Sequence, residues 1–163
     1  FGRGRHWLNR GPASWLGGWN LGGIMTLQAS SPVGATTQVN STNAFNPGAQ
    51  RANVLRDPNL PSDQRRLDRW FDTSAFAAPA PFTFGNASRA VTTGPGIVNV
   101  DLSLLKNFTW GERYNMQFRF ESFNIANKAN FEEPGIAFGS PNFGVINTAK
   151  NARSIQLGLR LTF

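Results

Sequence analysis

A set of polar side chains with alternating spacing holds most of the chemistry that this sequence offers. Asp101 and Glu121 supply carboxylates, and Arg119 and Arg160 supply guanidinium groups. With two amides, the full set is Asn99, Asp101, Gln117, Arg119, Glu121 and Arg160. Groups of both charge signs on one surface form ion pairs with each other or contact a polar solute. We predict structural pairing across neighbouring strands rather than direct contact with a ligand.

Catalytic and metal-binding residues are scarce in this chain. It has no cysteine, and its one histidine is His6. Thiolate chemistry and the usual zinc sites are therefore excluded, and a Ser-His-Asp triad would arise only by chance. Asp57, Asp63, Asp68 and Asp72 recur in one stretch but lack the spacing of a calcium loop. We predict a protein that is not an enzyme and that uses no cofactor and no metal.

The charge balance is basic but dispersed. The 163 residues include 16 Lys and Arg against 9 Asp and Glu, for a net charge of +7. Nucleic-acid-binding domains gather such charge into a patch or stripe, which this sequence does not do, so we predict no nucleic-acid partner. Arg65, Arg66 and Arg69 lie close together in the middle of the chain. They suit contact with lipopolysaccharide phosphates, and a solvated loop explains them equally well.

Four segments alternate apolar and polar residues with a period of two, which predicts β-strands. They cover about residues 18–28, 97–108, 113–124 and 154–163. In the third, Phe118 and Phe120 alternate with Arg119 and Glu121. In the last, one side carries Ile155, Leu157, Leu159, Leu161 and Phe163. We predict an apolar face without charge, as lipid-facing barrel strands require. The opposite face carries the polar set named above, and we predict that it lines the lumen of a barrel.

The connections between these strands are very unequal. A short link around residues 109–112 predicts a hairpin, whereas about residues 29–96 and 125–153 form long loops rich in Gly, Pro and Asn. Outer-membrane barrels have short periplasmic turns and long extracellular loops. We therefore expect the C-terminus in the periplasm and Trp19, Trp110 and Tyr114 at the periplasmic membrane interface. Within the first loop, residues 61–71 fit either a short helix or a solvated turn.

Several short motifs of this chain, in the same order, resemble TonB-dependent outer-membrane receptors of the Oar-like type. Two belong to the first strand and the start of its loop: GGWNLGGI at 17–24 and TLQASSP at 26–32. The others are WFDTSAF at 70–76, FGNASR at 84–89, GPG at 94–96, NVDLS at 99–103, KNF at 106–108, FRFESFN at 118–124, Asn127, NF at 130–131 and SPNFG at 140–144. The resemblance covers nearly the whole chain.

The resemblance implies an all-β fold in which this chain is the C-terminal segment of an antiparallel transmembrane barrel of about 22 strands. It implies uptake of a bulky solute across a Gram-negative outer membrane. The implied partners are the rest of the barrel and its plug, membrane lipid and lipopolysaccharide, the TonB complex through a region upstream of this chain, and the barrel-assembly machinery. Leu159, Leu161 and Phe163 resemble the signal that this machinery reads.

Two other functions fit the same residues. Long outer loops on a barrel also serve adhesion or surface binding without transport. A soluble β-sandwich that binds glycans through Trp and Asn side chains is the third possibility, and it would require no membrane.

Overall fold

The structure is a computed structural model and describes residues 17–43, 50–110 and 114–163, with the Trp110 side chain excluded. The described residues are almost entirely strand and irregular structure, with one 3₁₀ turn at Thr73–Ala75 and no α-helix. The strands are β1 Trp19–Gln28, β2 Pro32–Val33, β3 Thr36–Thr37, β4 Asn53–Val54, β5 Phe76–Ala77, β6 Thr92–Thr93, β7 Ile97–Trp110, β8 Tyr114–Phe123, β9 Ala137–Phe138 and β10 Ser154–Thr162.

The four predicted strands are present as the long strands β1, β7, β8 and β10. They form one sheet in the order β1-β7-β8-β10, and β8 pairs antiparallel with both β7 and β10. The all-β prediction is confirmed, and the strands differ from the predicted bounds by two residues at most. The described residues contain no closed barrel.

The chain divides into two compact units. The sheet unit consists of residues 17–27, 98–128 and 151–163, apart from the undescribed residues 111–113. It holds the long strands except for the last residue of β1 and the first residue of β7. The loop unit consists of Gln28–Ile97 and Ala129–Lys150, apart from the undescribed residues 44–49, and it holds the short strands. The long connections predicted as irregular loops therefore fold into a unit of their own.

A buried asparagine fixes the end of β8. Asn124 is 5% exposed and has a φ of 50°, a left-handed conformation that asparagine tolerates better than most residues. Its backbone N–H donates to Asp101 Oδ1 at 2.9 Å, and its side chain donates to the carbonyl oxygens of Lys128 at 2.9 Å and Asn151 at 3.3 Å. Its Oδ1 also accepts from the Lys128 N–H at 3.1 Å. One side chain thus joins β8, the turn after it and the approach to β10.

Replacing this residue should weaken the sheet unit. Asn124→Ala removes three partly buried hydrogen bonds and puts alanine at a positive φ, which alanine adopts less readily than asparagine, so we expect a loss of about 2–3 kcal/mol. Asn124→Gly should recover about 1 kcal/mol of that loss because glycine adopts this backbone freely. The measurement is the urea midpoint of the detergent-solubilised protein. A midpoint for Asn124→Ala equal to that of the exposed-site control Asn20→Ala would contradict this role.

The loop unit has an aromatic core drawn from both of its segments. Phe71 is fully buried, and its ring meets Phe76 at 5.6 Å and Phe143 at 5.1 Å between centroids. Phe76 and Phe143 meet at 5.2 Å, so the three rings form a closed edge-to-face triangle. Ala35, Ala52 and Ala75 fill the space around them. Burial of these side chains is the main favourable contribution to the folding of this unit.

Short backbone pairings hold the two loop segments together. β3 pairs with β9 in parallel, although about a hundred residues separate them in sequence. Trp70 donates its N–H to the Gly144 carbonyl at 2.8 Å, and Ile146 donates to Leu67 at 2.7 Å. The alternative of a helix over residues 61–71 is wrong: residues 62–64 form a turn, and Arg66 and Arg69 exchange backbone hydrogen bonds.

Candidate functional site

The pairing register sorts the residues of the sheet unit onto two chemically different faces. Residues opposite each other in neighbouring strands share a face. On one face Leu157 lies opposite Phe120, which in turn lies opposite Leu104. The next rows toward the β7–β8 link pair Leu159 with Phe118 and Leu161 with Met116. These residues define what we call the apolar face.

Much of the apolar face is exposed in the part of the chain that the structure describes. Leu157 is 70% exposed and Leu159 is 69% exposed. Exposed large apolar side chains also occur along β1, at Leu21, Met25 and Leu27. A contiguous surface of this kind is unfavourable in water and marks contact with lipid or with another apolar surface.

The prediction that the apolar face carries no charge is wrong at one position. Lys106 lies opposite Phe118 and therefore belongs to this face. It is 1% exposed, and its Nζ donates a hydrogen bond to the Gly17 carbonyl oxygen. The ammonium also lies 5.0 Å from the Trp19 ring centroid and 4.9 Å from the Phe108 ring centroid. The charge is tolerated here because a carbonyl dipole and two aromatic rings surround it.

The opposite face, the polar face, holds the predicted polar set. Gln156 lies opposite Glu121, Gly158 opposite Arg119, and Arg160 opposite Gln117. Asn99 and Asp101 lie on this face too, because they alternate with Leu102 and Leu104 along β7.

The charge pairing on the polar face differs from the prediction. Arg119 pairs with Glu121 in its own strand, at 3.8 Å, rather than with a residue across the sheet. The Arg119 side chain is 51% exposed, so this pair adds about 0–1 kcal/mol. Asp101 accepts hydrogen bonds from the Asn99 side chain and the Asn124 backbone, both at 2.9 Å. Gln117 donates to Asn107 Oδ1 at 2.9 Å, and that contact does cross strands.

The predicted interface aromatics lie at one end of the sheet. Trp19 begins β1 and covers Lys106, while Tyr114 begins β8 and is 54% exposed. Trp110 ends β7 opposite Tyr114, but its side chain lies outside the described residues. The predicted assembly residues Leu159 and Leu161 project from the apolar face of β10, and Phe163, just beyond the strand, is 90% exposed.

Within the described ranges, no group of three or more His, Asp or Glu side chains is placed to hold a metal ion. No helix in the described part of the chain has the length and apolar character needed to cross a membrane.

The loop unit presents several arginines on its surface, and one aspartate organises two of them. Asp72 caps the 3₁₀ turn and accepts from the Ser74 N–H at 3.1 Å and the Ser74 hydroxyl at 2.6 Å. Arg56 contacts Asp72 at 2.8 Å and Arg69 contacts it at 3.6 Å. The hydrogen bond from the Ser74 hydroxyl is the main cause that lowers the pKa of Asp72 below its ordinary value of 3.8. Burial acts in the opposite direction, and the hydrogen bonds from Arg56 and from the Ser74 N–H, together with the Arg56 charge, add to the lowering. Both arginine side chains remain more than half exposed.

The lowered pKa of Asp72 predicts acid sensitivity of the loop unit. A depressed carboxyl pKa stabilises the fold above the ordinary value of 3.8, and that contribution disappears as the pH falls through the lower folded value. Asp72→Asn keeps a capping oxygen but removes the charge that faces Arg56 and Arg69, so it should cost about 0–1 kcal/mol at pH 5. The difference from the parent should shrink as the pH falls below 3.8. Urea denaturation followed by tryptophan fluorescence, at pH 5 and at several lower pH values, measures the stability difference between variant and parent at each pH. The role of Asp72 would be refuted if the stability difference between Asp72→Asn and the parent stayed constant with pH. It would also be refuted if the exposed control Asp63→Asn lost as much stability.

Sequence reasoning missed Lys106, Asn124 and the aromatic core. Continuing the alternation of Leu102 and Leu104 by one step would have placed Lys106 on the apolar face. Asn124 had a weaker signal, namely an Asn directly after a strand. The core residues Phe71 and Phe143 follow no local period, so no sequence pattern identified them.

The comparisons with known proteins agree with the geometry of the sheet. Residues 1–156 match the family model described as "Outer membrane beta barrel domain". No curated protein and no solved structure matches the chain. The family match covers nearly the whole chain. The long strands of the chain form a sheet with one apolar face and one polar face, as the strands of a barrel do. The chain therefore belongs to the outer membrane beta barrel domain family, and its location is the outer membrane.

Proposed function

We propose that this chain forms part of the barrel wall and outer loops of a TonB-dependent receptor that imports a bulky solute. The observation that carries the proposal is the register of β8 with β10, which places apolar rows on one face and Arg119, Glu121 and Arg160 on the other. In a barrel wall the first face meets lipid and the second lines the lumen. The Oar-like motifs and the large folded loop unit support a barrel of about 22 strands.

The orientation follows from the unequal connections. In this proposal the short β7–β8 link and the end of β10 lie in the periplasm, and the loop unit lies outside the cell. This chain contains no cysteine, so a cysteine introduced into it provides a site-specific test. Leu55→Cys in the loop unit, 65% exposed, should react with a membrane-impermeant maleimide on intact cells. Tyr114→Cys beside the short link should react only after the outer membrane is permeabilised, and the reverse pattern would invert the orientation.

The proposed partners each rest on a described surface. The exposed side chains of Leu159, Leu161 and Phe163 suit recognition of β10 by the barrel-assembly machinery. The exposed guanidinium groups of Arg56 and Arg69 suit contact with lipopolysaccharide phosphates. The polar face suits contact with a plug, and coupling to TonB would come through a region upstream of this chain.

The second candidate is a barrel for adhesion or surface binding that does not transport. The observation in its favour is that the loop unit has its own core and exposes Phe82 and Phe84, which are 74% and 73% exposed. A fixed surface of this kind can bind a partner without any solute passing through the barrel. The soluble glycan-binding sandwich is not proposed, because the family places the chain in the outer membrane.

Two experiments on the full protein separate these functions. An immunoblot of outer-membrane fractions, comparing boiled with unboiled samples, should show the mobility shift of a closed barrel. Formaldehyde crosslinking in cells should then give an adduct with TonB that disappears in a strain lacking TonB. A shifted band without the adduct would favour the adhesion barrel, and a soluble band without a shift would exclude both.

A further inference from the structure

Lys106 links β7 to the residues at the start of β1. Lys106 belongs to β7, yet its Nζ donates to the carbonyl oxygen of Gly17, two residues before β1 begins. Both residues are buried. A charged hydrogen bond in a low-dielectric setting is stronger and more costly to lose than one in water.

The backbone changes direction just before β1, next to the carbonyl that Lys106 contacts. Gly18 has a φ of 75°, so the chain changes direction just before the strand. The Gly18 carbonyl accepts from the Asn107 N–H at 3.0 Å, which is a strand-like contact with β7. A Cβ at Gly18 would lie 2.7 Å from the Asn107 carbonyl oxygen, so a side chain cannot replace glycine here. The neighbouring Gly17 carbonyl, just before this turn, accepts its hydrogen bond from the side chain of Lys106.

The aromatic rings add a second attachment point on β1. Trp19 is the first residue of β1, and its ring lies over the Lys106 ammonium, as does Phe108 from β7 itself. The Lys106 ammonium thus contacts two nearby residues at the start of β1: the carbonyl oxygen of Gly17 and the ring of Trp19. A shift of β1 by one residue would move the Trp19 ring to the polar face.

We infer that Lys106 is a positioning residue that fixes the register of β1 on β7. It does so by holding the Gly17 carbonyl and the Trp19 ring at once. The inference rests on contacts inside the sheet unit and does not depend on TonB or on transport.

The register can be read by disulfide formation, since the chain contains no cysteine. A Cβ at Gly22 would lie 2.8 Å from Ser103 Oγ, so Gly22→Cys with Ser103→Cys reports the β1–β7 pairing. A Cβ at Gly158 would lie 3.6 Å from Arg119 Cβ, so Gly158→Cys with Arg119→Cys reports the β8–β10 pairing as the matched control. Each pair is built into the full protein with Lys106, Lys106→Met or Lys106→Arg.

We expect Lys106→Met to lower the yield of the Gly22–Ser103 disulfide several-fold while the control disulfide forms as in the parent. Lys106→Arg keeps the cation and should restore most of the yield. Three results would overturn the inference: an undiminished Gly22–Ser103 yield in Lys106→Met, loss of both disulfides together, or no recovery with Lys106→Arg. Loss of both would show a general folding defect rather than a register effect.

Discussion

Leu157→Arg is expected to destabilise the membrane-inserted sheet by about 2–4 kcal/mol, which is the cost of an arginine near the bilayer midplane of a barrel. Leu157 lies in the middle of β10, opposite Phe120, and is 70% exposed in the isolated chain. In a water-soluble protein, a substitution at so exposed a site changes stability by only about 0.5 kcal/mol. The expected loss therefore comes from lipid contact and not from packing within the chain.

The neighbouring residue provides the matched control. Gln156 belongs to the same strand but to the polar face, where it lies opposite Glu121. Gln156→Arg places the same side chain next to a carboxylate and should leave stability unchanged within about 0.5 kcal/mol. Urea unfolding from lipid vesicles, followed by the loss of the heat-shifted band, measures both variants. Equal stabilities for the two would show that the apolar face does not contact lipid.

Phe71→Ala should unfold the loop unit while the sheet unit remains paired. Phe71 is fully buried and contacts both Phe76 and Phe143, so its truncation leaves a cavity at the centre of the aromatic triangle. Such a change costs about 3–5 kcal/mol, which is a large part of the stability of a unit this small. The sheet unit shares none of these contacts and should keep its pairing.

Limited proteolysis of the folded protein in detergent tests this separation. Phe71→Ala should become sensitive to cleavage within residues 28–97 and 129–150 and keep its heat-dependent mobility shift. Phe84→Ala removes the same ring from a site that is 73% exposed and should remain as resistant as the parent. If Phe71→Ala stayed resistant, the loop unit would not depend on this core. If the mobility shift were also lost, the two units would not be independent.

The sequence predicts the sheet well because period-two alternation is a local signal. The two faces of β10 can be assigned before any partner strand is known, because apolar and polar residues alternate along it. One face carries Leu157, Leu159 and Leu161, and the other carries Gln156, Gly158 and Arg160. The burial of Lys106 is hard to predict from sequence because a charge among apolar positions is stabilised by contacts with residues distant in sequence. These include the Gly17 carbonyl just before β1 and the Trp19 ring at its start, in addition to Phe108 of the same strand.

The loop unit was predicted only as two irregular loops, for a different physical reason. Its core joins Phe71 to Phe143 across 72 positions, and a contact between residues so far apart leaves no local pattern in the sequence. Pairings of two residues, such as β4 with β5, are too short to leave a periodic pattern. Residues 61–71 do not form the helix that is one of the two predictions for them. Long-range contacts stabilise another conformation there, including the hydrogen bond from the Ile146 N–H to the Leu67 carbonyl.

The parallel pairing of β3 with β9 implies that the two long loops evolve together. Thr36 and Thr37 need Ala137 and Phe138 beside them, and Phe71 needs Phe143. Recombination that exchanged one loop between related barrels would separate these partners and destabilise the loop unit, whereas joint exchange would preserve them. Diversification of this surface should therefore proceed by replacing both loops together, or by changes at exposed positions such as Leu55 and Phe84 that the core does not use.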